Sequence, residues 1–268
     1  MKKILHPTDF SECADFAAEL ATYLAAALQA EIIFLHIYDD PVGELHTPGT
    51  ALHYDTGKGK ATAALHERVN RAEKLGVKAK PLLVINKGSD VIENYISPLH
   101  IDMVVMGTHG LTGIRRKILG SHAERVVKKA HVPVMVVKNK PQPIKNMLFA
   151  TTRHENVEPA FTFVATIASA CSSSVHLVQI EDSSPAEKTA GAEENLRKLT
   201  ASYPQITFTY NSIATNDPAW GIQQISSRLS PDLIALTTAL KESSFIFTHS
   251  LAEDLIRTET RPVLVLKT

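Results

Sequence analysis

The chain repeats itself, and the repeat constrains its architecture more than any other feature. KKILHPTDFSECADFAAELATYLAAALQAEIIFLHIYDD lies over KNMLFATTRHENVEPAFTFVATIASACSSSVHLVQIED, with Ile4 opposite Met147 and Ile37 opposite Ile180, an offset of 143. Farther on, IDMVVMGTHG lies over PDLIALTTAL with Asp102 opposite Asp232, an offset of 130. VPVMVVK then lies over RPVLVLK with Pro133 opposite Pro262, an offset of 129. The fall from 143 to 130 gives the first copy 13 additional residues after its second apolar run, around PVGELHTPGTALHYDTGKGK. Two copies joined by the proline-bearing NKPQPIK predict a pair of domains, 1–142 and 143–268, rather than a solenoid. Each is long enough to bury its own core.

Within the first copy, apolar runs predict strands over 3–7, 31–37, 79–85, 102–107 and 133–138, and amphipathic runs predict helices over 11–28, 60–75, 90–98 and 121–130. IIFLHI and MVVM lack strict alternation, as strands covered on both faces do. Alternating strands and helices argue an α/β fold with a doubly wound parallel sheet. Right-handed crossovers restrict the winding, and a reversal of strand order opens a crevice at the strands' carboxyl ends. The reversal most compatible with five strands sets the first and fourth side by side. PTD (7–9) and GTHG (107–110) would then face each other across that crevice.

Charge and composition narrow the partner classes. Lys plus Arg and Asp plus Glu both number 28, so no global charge directs the chain to nucleic acid or an anionic membrane. Residues 1–142 hold 18 basic and 15 acidic groups against 10 and 13 in residues 143–268, an asymmetry consistent with an anionic ligand on the first copy. No apolar run approaches a membrane span, and MKKILHPTDFSE reaches Asp9 and Glu12 before a signal-peptide core forms, so a cytoplasmic location is expected. Cys13 and Cys171 lack metal spacing and read as two buried thiols in a reducing compartment. The histidines are scattered without H-x-x-x-H spacing; His6 and His36, on predicted strands, read as satisfied core residues. Trp220 reads as core or interface.

GTHGLTGIRRKILGS (107–121) gathers Gly107, Gly110, Gly113 and Gly120 in a chain with 12 glycines in all. It is a flexible surface loop or a phosphate cradle. Glycine lacks a Cβ, so its N–H can approach an anion closely. Gly120-Ser121 falls at the predicted start of the fourth helix, where unpaired N–H groups and the helix dipole favour negative charge. Ser121 would cap that helix or donate to a phosphate oxygen. The stretch is not a Walker A loop, since Ser121 rather than lysine follows Gly120, and G-x-G-x-x-G is absent as well. Arg115, Arg116 and Lys117 are a solvated basic run or counter-charges for a triphosphate. Asp9 opens the D-x-x-E pattern of a capping box, which competes with any ligand role.

Gly107, Gly110 and Gly120-Ser121 at this spacing resemble the nucleotide-binding signature of the universal stress protein family. ILHPTDFSE and HVPVMVVK are similar to that family's first and last strands. The resemblance covers residues 1–140 with specific motifs and 145–268 in outline, so the whole chain resembles tandem members. It implies two tandem doubly wound domains, each a five-stranded parallel sheet of order 3-2-1-4-5 with flanking helices. It implies ATP as ligand, alone or with Mg²⁺, with Asp9 on the adenine amino group and the Ile37 backbone on the adenine edge. Gly107, His109, Gly110, Gly120, Ser121 and His122 would surround ribose and phosphates, Arg115 would add charge, and Pro7, Thr8 and Met106 would wall the crevice.

The second copy departs from this pattern. Thr237 stands opposite Gly107, Leu240 opposite Gly110, His249 opposite Gly120 and Thr152 opposite Asp9, while Ser250 alone keeps its counterpart. One nucleotide per chain is therefore expected, in the first copy. In the family the last strands pair across a two-fold axis, which implies that the two copies here pair as an intramolecular pseudo-dimer. A further homodimer and an unidentified protein partner belong to the same expectation. A binding module is favoured over a slow Mg²⁺-dependent ATPase or phosphotransferase, because no catalytic base is evident beside the cradle. A nucleotide-free scaffold is the third reading.

Overall fold

Each apolar run that lacks alternation becomes a strand, because helices must cover it on both sides. The computed structural model describes residues 1–39, 48–86, 91–108, 120–152, 157–181, 197–238 and 248–267. The first half contains β1 (Lys3–Pro7), α1 (Glu12–Leu28), β2 (Glu31–Asp39), α2 (Pro48–Lys74) and β3 (Ala79–Asn86). A 3-10 turn (Ile92–Tyr95), β4 (Met103–Gly107), α3 (Ser121–Lys129) and β5 (Val134–Val137) complete it. The second half contains β6 (Asn146–Thr152), α4 (Glu158–Cys171), β7 (Ser174–Glu181), β8 (Phe208–Ala214), α5 (Pro218–Leu229), β9 (Leu233–Thr238), α6 (Thr248–Thr258) and β10 (Val263–Lys267).

The strands form one ten-stranded sheet of order β3-β2-β1-β4-β5-β10-β9-β6-β7-β8. Each half has the doubly wound order 3-2-1-4-5, all parallel, as the family resemblance implies. β5 and β10 meet antiparallel, with Val263 opposite Val136 and Val265 opposite Val134. The last strands therefore lie at the centre of the sheet, where pairing satisfies backbone groups that an edge would leave open. β3 and β8 are the outer strands.

Successive strand residues feed opposite layers. Ile4 joins a core with α1, α2 and α4, while Leu5 joins one with α3, α5 and α6. In α1, Ala17, Leu20, Ala21 and Leu24 recur at helical spacing and are buried, Leu24 completely. Leu24→Ala would cost about 2–5 kcal/mol through the cavity it leaves.

The repeat is also legible in backbone detail. Asp102 Oδ2 accepts the N–H groups of Lys2 and Lys3 at 2.6 and 2.9 Å. Its counterpart Asp232 accepts those of Lys145 and Asn146, both at 2.9 Å. Two lysines exchange across the seam. Lys138 Nζ donates to the carbonyl of Arg257 at the end of α6 (2.7 Å), and Lys267 Nζ to that of Val127 at the end of α3 (2.6 Å). Burial lowers the pKa of both amines.

Three local expectations change. The helix predicted over 90–98 is only the 3-10 turn followed by further turns, because Pro98 sits where a continuing helix would need its N–H. The added residues after β2 lengthen α2, which starts at Pro48 rather than near 60 and carries Gly57 and Gly59 within it. Cys13 and Cys171 are half-buried rather than fully enclosed.

Candidate functional site

At the carboxyl ends of β1, β2 and β4 lies a cleft of about 780 Å³. The reversal of strand order creates it, since β2 and β4 lie on opposite sides of β1 and their connections leave in opposite directions. Pro7, Thr8 and Asp9 line it from β1, Ile37 from β2, and Met106 and Gly107 from β4. Gly120, Ser121 and His122 line it from the start of α3. His109, Gly110 and Arg115 lie outside the described residues.

Asp9 does not cap α1. Ser11 is the N-cap, its hydroxyl accepting from the Ala14 N–H at 3.3 Å. Asp9 instead closes a turn: its Oδ1 accepts the Ser11 N–H (3.0 Å) and the Ser11 hydroxyl (2.6 Å). The capping role falls two residues later than the D-x-x-E pattern predicts, which releases Asp9 Oδ2 from helix duty.

The glycines serve different purposes. A Cβ on Gly107 would stand 2.9 Å from the Cys13 carbonyl carbon and 3.0 Å from the Ala14 nitrogen. Gly107 is thus required by the close approach of α1 to the end of β4. Gly120 is the N-cap of α3, with extended backbone and no side-chain cap. Its own N–H is taken by the Thr108 carbonyl at 2.8 Å. The first N–H groups of α3 behind it have no acceptor within the helix and carry the positive end of its dipole. Ser121 and His122 are exposed at that end. Farther along, Lys128 pairs with Glu124 at 2.7 Å and lowers the pKa of that carboxyl.

The structure adds wall residues that the sequence reading passed over. His36, Tyr38, Asp39 and Asn86 line the outer part of the cleft. His36 is not a core residue; it is half-buried, and its Nδ1–H donates to the Thr8 carbonyl at 2.7 Å. Asn86 donates from Nδ2 to Asp39 Oδ1 at 2.6 Å, tying the end of β3 to that of β2. The available signal was their position, since residues at a strand's carboxyl end in this topology border the crevice. His6 is core, as expected, but not fully satisfied: Nδ1 donates to the Val105 carbonyl at 2.9 Å, and Nε2 has no partner among the described residues. Burial pushes its pKa down to about 4, against the raising effect of that hydrogen bond and with a further lowering from Arg68.

A second cleft, about 810 Å³, runs along the seam between the halves and holds none of the sequence-predicted residues. Lys138 there is engaged with the end of α6, and Asn139 Nδ2 with the Thr260 carbonyl at 3.2 Å, so these groups knit the two halves together.

Residues 1–138 match the model of the universal stress protein family. The chain belongs to that family. Universal stress protein MJ0531 of Methanocaldococcus jannaschii is 37% identical over 139 residues, covering 51% of this chain and 82% of that protein. Universal stress protein MJ0577 of the same organism is 30% identical over 155 residues, covering 52% and 96%. A universal stress protein structure from Archaeoglobus fulgidus superposes over 99% of this chain and 98% of its own, with a TM-score of 0.77 and 22% identity. That likeness extends the universal stress protein fold to both halves. Among the described residues, no helix is long and apolar enough to cross a membrane.

Proposed function

We propose that the cleft binds one adenine nucleotide, ATP, and that the protein is a cytoplasmic stress-response regulator rather than an enzyme. One observation carries this reading: Asp9 and the uncapped start of α3 line the same cleft. A carboxylate accepts from an exocyclic amino group, and a helix N-terminus favours phosphate. The residues fit the ligand. The cleft falls within the range of roughly 300–1,000 Å³ common for small-molecule sites, and Gly120 leaves no Cβ between α3 and an incoming anion.

In this reading Pro7, Thr8, Ile37 and Met106 wall the base and sugar. Gly107 keeps α1 close, and Ser121 and His122 supply a hydroxyl and an imidazole near the phosphates. Mg²⁺, when bound with ATP, would neutralise phosphate charge. Residues 1–142 form the nucleotide domain, and 143–268 form its structural partner across the β5–β10 seam. Binding is favoured over turnover because Asp9 Oδ1 is committed to Ser11, and Asp9 is assigned to the base rather than to the transferred phosphate.

Isothermal titration of ATP should find one site per chain. Asp9→Asn should weaken binding about tenfold to a hundredfold, the range for losing a hydrogen bond to a charged group. Two equivalent sites, or an unchanged affinity in the variant, would overturn the reading. Sustained hydrolysis with Mg²⁺ would replace regulation by catalysis.

A further inference from the structure

Five non-glycine residues among those described have positive φ: Phe10 (65°), Gln29 (53°), His100 (53°), Ser172 (54°) and Ser230 (47°). Four of them are matched by the repeat. Gln29 and Ser172, 143 positions apart, end α1 and α4; His100 and Ser230, 130 apart, precede the strands β4 and β9. Phe10 is different. It ends no helix, and the left-handed region is one that bulky residues avoid.

A stack holds Phe10 in place. The Arg68 guanidinium lies 4.8 Å from its ring centroid, and the His36 ring lies 4.4 Å away at an interplanar angle of 36°. Arg68 reaches in from α2, pairs with Asp15 of α1, and donates to the Ala64 carbonyl at 3.2 Å. Its side chain is 10% exposed, yet its Nε–H has no partner among the described residues. His36 is pinned by the Thr8 carbonyl, and Thr8 Oγ1 accepts the Phe10 N–H at 3.1 Å. A left-handed aromatic and an unsatisfied buried guanidinium N–H both disfavour folding, and both fall on one stack. The stack flanks Asp9. Phe10 itself does not line the cleft. At the offset of 143, Arg153 and Gln179 replace Phe10 and His36 in the second half, so the aromatic members of the stack belong to the half that has the open crevice.

We propose that Phe10 is a positioning residue: clamped by Arg68 and His36, it holds the turn that presents Asp9 to the base of the nucleotide, so base selectivity rests on a ring outside the ligand's reach. The inference rests on the reading of the cleft given above.

The test measures ATP and GTP affinity on the full chain for wild type, Phe10→Gly, Phe10→Tyr and His36→Gln. Glycine adopts the left-handed turn without strain but removes the stack. Phe10→Gly should therefore stay folded, bind ATP about tenfold more weakly, and lose most of its preference over GTP. Phe10→Tyr should keep the preference, and His36→Gln should lose part of it. A Phe10→Gly protein with wild-type preference overturns the inference. Should that variant fail to fold, an unchanged ATP-to-GTP ratio in His36→Gln overturns it equally. Wild type that binds neither nucleotide overturns the reading of the cleft and this inference with it. Selective wild type beside equally selective variants overturns the positioning role alone.

Discussion

His36 and Ile37 stand half-buried at the end of β2, whereas Gln179 and Ile180, their counterparts at the end of β7, are each 6% exposed. Thr237, opposite Gly107, is likewise buried at 4%. The two halves share strand order, aspartate anchors and left-handed turns, yet the carboxyl ends of their strands differ. In the first half they border a cleft; in the second, Gln179, Ile180 and Thr237 at the matching positions are buried. The repeat therefore preserves what builds the sheet, and the differences gather where a ligand would enter. α1 helps explain this. It begins at Glu12, close over β4, while α4 begins at Glu158, three positions after the counterpart of Glu12 at an offset of 143. The first half needs glycine at 107, and the second accommodates threonine at 237.

Exchanging residues between the halves would break or sharpen this comparison. The largest effect is expected for Gly107→Thr, which imports the second-half residue against the backbone of α1. Overpacking against main chain, which cannot rotate away, should cost about 3 kcal/mol in urea unfolding and abolish measurable ATP binding. A stable variant with intact binding would show that the approach of α1 does not distinguish the halves.

His6 offers a comparison of similar size that depends on pH. Its counterpart is Phe149, and both are completely buried. The folded protein holds the His6 pKa near 4 by burial, below the ordinary 6.5, so the unfolded chain binds this proton first as pH falls. Stability from this group is complete above about pH 6.5 and is lost progressively down to about pH 4, amounting to roughly 3 kcal/mol. In His6→Phe, urea unfolding at successive pH values should lose one proton's worth of slope across that window. An unchanged slope would mean that His6 is protonated inside the fold or titrates alike in both states.

The smallest effect concerns the seam. Lys138→Met and Lys267→Met should each cost about 1 kcal/mol, the scale of a cation at a helix carboxyl end, and the two costs should be alike and additive. A marked inequality in denaturant unfolding would show that the halves meet unevenly.

Much of this was legible beforehand. Apolar runs and the repeat offsets located nine of the ten strands, because burial on both faces leaves a composition that survives divergence; β8, an outer strand that is only partly buried, escaped them. Pairing of VPVMVVK with RPVLVLK followed from the resemblance and was met by β5 and β10. The glycine signature led to Gly107 and Gly120, yet Gly107 works against α1 and Gly120 has extended rather than left-handed backbone. Spacing reports that a Cβ is unwelcome; it does not report which neighbour excludes it. Likewise D-x-x-E pointed to Asp9 as the cap, whereas the turn at Phe10 passes that role to Ser11.

The amino-acid order by itself determined the doubled architecture and most strand segments, since hydrophobic periodicity and repeat offsets are local properties of the chain. Only the tertiary structure decided that Arg68 would cross from α2 to cover Phe10, that His36 would border the cleft, and that the lysine closing each half's last strand would end the other half's last helix. These contacts join residues from 26 to 140 positions apart. Which distant side chains meet depends on how helices settle on a twisted sheet, and no local pattern contains that geometry.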